Sequence, residues 1–168
     1  MQNYFSGAGN RSASCSENPY WIPLRDGLQT LLQQNGLASS DVEAMIFSGM
    51  ICSETGLHNV PHLLTPATAD PVALAMEQIA VHKIADIPMF FVPGLRIDSA
   101  SLSDIDIMRG EETELFGICR QLDLQNFVAV MPGSHTKIVR VEENGAKQVF
   151  EIPDALAENA AAQISRPR

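Results

Sequence analysis

Apolar residues come in short runs divided by polar turns, and the runs switch between a helical and an extended period. Leu24, Leu28, Leu31 and Leu32 recur at helical spacing, and Gly36 is placed to stop that helix. Asp41 leads into Ala44-Met45-Ile46-Phe47-Ser48, a short apolar run that reads as a buried strand ending at Gly49. Residues 72–82 read as a second helix with Val72, Met76, Ile79 and Ala80 on one face. Met89-Phe90-Phe91-Val92 reads as a strand stopped by Pro93-Gly94. Residues 111–122 read as a third helix that turns Leu115, Ile118, Cys119 and Leu122 inward. Residues 127–131 read as a strand, and the runs 138–141 and 148–152 pair as a hairpin across Glu143-Asn144-Gly145. Strands alternating with helices predict an α/β layered fold with a partly parallel sheet.

Composition narrows the classes. A chain of 168 residues fits one domain or one lobe of a larger enzyme. With 45% apolar and 18% charged residues it can bury a core and is not a disordered chain. The net charge of −9 opposes nucleic acid and anionic membrane surfaces as partners, because both select clustered Lys and Arg. The three cysteines, Cys15, Cys52 and Cys119, lack metal or disulfide spacing, which suits a reducing, cytoplasmic setting. Cys52 and Cys119 are expected to be buried small apolar groups. Residues 1–20 and 153–168 carry no core-forming pattern.

Two segments carry candidate chemistry. Met108-Arg109-Gly110-Glu111-Glu112-Thr113 places a glycine and two carboxylates at a helix start. Acidic residues there often serve only the helix dipole, but a glycine before them permits close approach of a ligand. A carboxylate aimed into a cleft can accept a hydroxyl proton. Met131-Pro132-Gly133-Ser134-His135-Thr136-Lys137 sits on a turn between two apolar strands. A turn needs no hydroxyls, imidazole or ammonium, so backbone N–H groups with Ser134, Thr136 and Lys137 suggest a phosphate cradle. It lacks P-loop spacing. Ser48-Gly49-Met50-Ile51-Cys52-Ser53 with Gly56-Leu57 follows a strand, where α/β folds place ligand loops. His58 and His62 are four apart, but Pro61 opposes a shared helical face, so no metal site is expected from them.

Together these stretches, with Pro61-His62-Leu63, Pro66-Ala67 and Val92-Pro93-Gly94-Leu95, resemble the 2-dehydro-3-deoxygalactonokinase family over roughly residues 24–149. That family looks like a branch of the actin-like, ribonuclease-H-fold sugar kinases. The resemblance implies ATP-dependent phosphorylation of the 6-hydroxyl of 2-dehydro-3-deoxy-D-galactonate, with ATP and Mg²⁺ as cofactors. By that analogy Glu111 is the base, with Glu112 the next candidate. Gly133, Ser134, His135, Thr136 and Lys137 would hold phosphates. Gly49, Met50, Ser53, Gly56 and Arg109 would contact the sugar acid, and a second copy of the chain is a partner left open. The family's opening Asp-x-Gly-Thr-Thr loop has no match in residues 1–20, and its adenosine-binding half has none in residues 154–168. The resemblance implies an incomplete first lobe over residues 21–125 plus the first hairpin of the second over 126–152, unstable alone and with little or no kinase activity. The alternatives are an inactive fragment, or a related kinase acting on another sugar acid.

Overall fold

The computed structural model describes residues 18–97, 106–122, 124, 126–133 and 136–142, with the backbone of residues 145–151. Of the expected end segments, 1–20 and 153–168, residues 1–17 and all of 153–168 lie outside the described residues. The first helix, α1 (Trp21–Asn35), ends as its sequence implies: Gly36 takes the left-handed conformation at φ 64° and donates to the carbonyls of Leu32 and Gln33. Its start is held by Lys83, whose ammonium lies 3.9 Å from the centre of the Trp21 ring.

β1 (Met45–Phe47) follows, then β2 (Leu63–Leu64), β3 (Ala67–Thr68), α2 (Ala69–Leu74), β4 (Glu77–Ile79), β5 (Met89–Phe91) and β6 (Leu95–Arg96). β7 (Ile107–Met108) leads into α3 (Glu111–Leu122), and β8 (Asn126–Met131), β9 (Lys137–Glu142) and β10 (Gly145–Glu151) complete the described chain. These strands form three small sheets in the orders β1-β5-β4, β2-β6-β7 and β3-β10-β9-β8. β1 and β5 are parallel, as are β2 and β6; the remaining pairs are antiparallel. The mixed α/β class therefore matches the sequence pattern, and the β9–β10 hairpin forms with Glu142 opposite Gly145.

Two expectations need correcting. The helix expected over 72–82 stops at Leu74, and residues 77–79 form a strand on β5. Val72 and Met76 pack into one apolar cluster while Ile79 packs into the other, so a single helical face cannot serve all three. Pairing with β5 also gives this backbone a ladder it would otherwise lack. In α3, Leu115 and Cys119 are buried but Ile118 and Leu122 are exposed. The inward stripe is Glu112, Leu115, Phe116 and Cys119, an i, i+3, i+4, i+7 set that begins three positions before the expected one.

One core gathers Val92, Leu95, Met108, Leu115, Val139 and Val141 beneath α3 and the hairpin sheet. The other gathers Phe47, Cys52, Val60, Ile84, Met89 and Phe91, with the Phe47 and Phe91 rings stacked at 4.7 Å. Among the described residues no helix is long and apolar enough to cross a membrane.

Candidate active site

β1 runs out into Ser48 and Gly49, and β7 runs out into Arg109 and Gly110. Gly49 and Gly110 both take positive φ, 84° and 118°. A Cβ added to Gly110 would lie 3.2 Å from Gly49 Cα, so a side chain there would crowd the facing backbone. Beside this contact the hydroxyls of Ser48 and Thr113 hydrogen-bond at 2.9 Å.

Gly110 opens α3, whose first turn carries Glu111, Glu112 and Glu114. Three carboxylates there complement the positive end of the helix, but the first two face different surroundings. Glu111 is half-buried, accepts the Arg109 N–H at 3.0 Å and lines an open cleft. Glu112 is fully buried, and both of its oxygens accept the Gly110 N–H, at 2.9 and 2.8 Å. Burial pushes its carboxyl up to about 7; backbone N–H groups and Arg109 oppose the rise, and the Glu111 charge adds to it.

Arg109 reaches the other way. Its Nη1 donates to the Cys52 carbonyl, and its Nη2 donates to the Val60 carbonyl at 2.8 Å and to His62 Nδ1 at 3.1 Å. A guanidinium only donates, so His62 Nδ1 accepts and the ring proton sits on Nε2. That nitrogen is buried and has no partner among the described residues. Burial, then the charges of Arg109 and Arg96, hold the His62 pKa below its usual value. Within the loop Gly56 is forced, because a Cβ there would sit 2.2 Å from the Ile51 carbonyl oxygen. His58, the other member of the pair weighed for metal binding, bonds Glu77 at 2.7 Å.

On the hairpin, Lys137 is buried and its ammonium meets Asp106 Oδ1 at 2.5 Å. The same oxygen accepts the Ile107 N–H at 2.7 Å, while Asp106 Oδ2 is buried without a partner among the described residues.

These elements wall a cleft of about 770 Å³. Of the residues expected at the site it brings together Met50, Ser53, Arg109, Glu111, Gly133 and Lys137. Gly49, Gly56, Glu112 and Thr136 do not line it: Glu112 is buried, and Gly49, Gly56 and Thr136 are half-buried. Ser134 and His135 lie outside the described residues. A larger hollow, about 980 Å³, runs along β4 and gathers none of these groups, so the smaller cleft is the candidate site. Sequence reasoning missed Asp106 and the Ser48–Thr113 bond, for which the chain offers no local signal, and weighed His62 only as a ligand.

Comparison with known proteins gives this geometry its kinship. The 2-keto-3-deoxy-galactonokinase family profile matches residues 13–151. The chain belongs to this family. A Rhizobium meliloti protein named as a probable 2-dehydro-3-deoxygalactonokinase is 29% identical over 123 residues, 71% of this chain and 38% of that protein. A solved Sinorhizobium meliloti structure, provisionally described as a 2-dehydro-3-deoxygalactonokinase, superposes with a TM-score of 0.66 at 24% identity. It covers 83% of this chain and 43% of its own, a likeness of fold. The chain thus spans about two-fifths of the length of these 2-keto-3-deoxy-galactonokinase relatives.

Two carboxylates, Glu111 and Glu54, stand on the cleft wall of this family member. That donor set fits Mg²⁺ held mainly by phosphate oxygens and water, with one or two protein carboxylates. Among the described residues no three His, Cys, Asp or Glu side chains gather as a metal site.

Proposed function

We infer that this chain carries the acceptor cleft of a cytoplasmic sugar-acid kinase that transfers the γ-phosphoryl of ATP to the 6-hydroxyl of 2-dehydro-3-deoxy-D-galactonate. The observation that carries the reading is the shared cleft. It gathers Glu111 with Gly133 of the turn before β9, Lys137 at the start of β9, and Met50 and Ser53. Glu111 accepts the hydroxyl proton as the oxygen attacks, because it is the first-turn carboxylate open to the cleft. Gly133, Thr136 and Lys137, with Ser134 and His135, form the phosphate side, and Mg²⁺ offsets phosphate charge when bound. Met50 and Ser53 contact the sugar acid directly, while Gly49 and Gly56 shape the loop that presents them. Glu112 holds the Gly110 N–H behind the catalytic turn. The lobe reading, an actin-like first lobe joined to the opening hairpin of a second, rests on the match to the family.

A second reading keeps binding and drops turnover: more than half of each relative's length has no counterpart in this chain. Coupled ADP release with ATP, Mg²⁺ and the sugar acid, run beside calorimetric titration, separates the two. Sugar-acid-dependent ADP release that falls roughly 10²–10⁴-fold in Glu111→Gln, with sugar-acid affinity retained, supports catalysis. Binding without ADP release supports the second reading. Failure of the sugar acid to bind at all removes both.

A further inference from the structure

Arg109 stands on the cleft wall as a cation and also donates to three acceptors on the 52–62 loop. The geometry points to the second as its work. Arg109 is a positioning residue that fixes this loop, with Ser53, Thr55 and Asn59 of the cleft wall, against the turn presenting Glu111. The functional part of this claim rests on the kinase reading above; the mechanical part does not.

The guanidinium bridges the neck of the loop. Cys52 O accepts Nη1 and also the Val60 N–H at 3.1 Å, while Val60 O accepts Nη2. One cation therefore ties both strands of the neck, and His62 closes the far side through Nδ1. The loop's own backbone ties are few: Leu57 and His58 N–H to Ile51 O at 2.8 and 3.3 Å and Gly56 N–H to Ser53 O at 2.9 Å stand with the Val60 bond. Hydrogen bonds from a charged donor are stronger than these neutral ones. The opposite end of the same residue holds the catalytic turn, since the Arg109 N–H donates to Glu111 Oε2. Loop and carboxylate are thus registered through one residue.

The donor inventory opposes the simpler role of clamping the substrate carboxylate. A guanidinium meets a carboxylate bidentately either through Nη1 and Nη2 or through Nε and Nη2. Both modes need an Nη2 hydrogen, and both Nη2 hydrogens are engaged by Val60 and His62. Lysine cannot reproduce the bridge, because a compact ammonium lacks the planar fork that spans the two carbonyls.

The test uses Arg109→Lys in the full chain, which keeps the charge and removes the fork. Amide hydrogen exchange at Leu57 and Val60 should accelerate by ~10-fold, the loss expected for about one net hydrogen bond, while β8–β9 amides keep their rates. Calorimetry should show sugar-acid affinity falling by a similar factor with ATP affinity unchanged; a general structural defect would weaken both. Loop exchange at the unsubstituted rate overturns the proposal, and with sugar-acid affinity lost it makes Arg109 a direct ligand. If Arg109→Lys unfolds the whole chain, native-state exchange of the unsubstituted protein in mild denaturant decides. Val60 and Thr113 amides opening with one shared free energy support the link, and separate opening overturns it. If the unsubstituted chain binds no sugar acid, the kinase reading falls, and the exchange arms still decide the positioning role.

Discussion

A carboxyl group sealed from solvent is a poor place for a negative charge, and Glu112 combines full burial with a pKa pushed up to about 7. The unfolded chain would release this proton near 4.5, so between the two values the folded state binds more protons. Stability from this group is therefore present at low pH and is lost as pH rises toward 7. From pH 5 to pH 8 the contribution falls by roughly 2–3 kcal/mol, after which it is flat. Urea unfolding at those two pH values should show that loss. Glu112→Gln should remove most of the slope, because the amide oxygen still accepts the Gly110 N–H but has no proton to lose. A slope unchanged in the variant would assign the pH dependence to another group. Glu111, one position earlier and open to the cleft, is the residue whose amide variant should act on turnover instead.

At the level of elements, glycines set the path of the two loops that meet at the cleft. Gly110→Ala must place a side chain at φ 118° against Gly49, and should cost about 1–3 kcal/mol by thermal or urea unfolding. Gly56→Ala meets backbone rather than a flexible side chain, so it should displace the loop and accelerate exchange at Leu57 and Val60. An alanine tolerated at either position with no change in these readouts would show that the loop path is not fixed there. Much of this architecture was legible in the chain. Gly36 marked the end of α1, the Met89–Val92 run marked β5 and the Asn-Gly step marked the hairpin, because each depends on neighbours in sequence. Residues 72–82 were misread because Val72 and Ile79 belong to different cores, a fact carried by packing rather than by spacing. The candidate site was legible as residue types and not as roles. Glu111 and Glu112 look alike in sequence, and only the rotation of α3 sends one into the cleft and the other into the interior. Arg109 reads as a ligand until its three acceptors, all more than forty positions away, are brought beside it.

Across the whole molecule, the site lies where two cores adjoin. The chain crosses between them at the end of β5: Met89 and Phe91 enter one core, and Val92, the residue after the strand, enters the other. Leu115→Ala should cost about 2–5 kcal/mol and Phe91→Ala about 3–5 kcal/mol, each leaving a cavity in its own cluster. If the clusters are energetically independent, the double variant should lose the sum to within about 0.5 kcal/mol in chemical denaturation. A large deviation would show that the seam between the cores transmits strain. The Gly49–Gly110 contact sits on this seam, and it limits how the cleft can be remodelled. A side chain at Gly110 would press on the Gly49 backbone and one at Gly49 would be strained by its positive φ, so neither change comes at low cost. On the kinase reading, variation that retunes the choice of acceptor falls on cleft-lining positions such as Met50, Ser53, Thr55 and Asn59. A combinatorial library randomising those four positions should return folded variants with altered substrate preference, whereas one centred on the two glycines should return mostly unfolded chains.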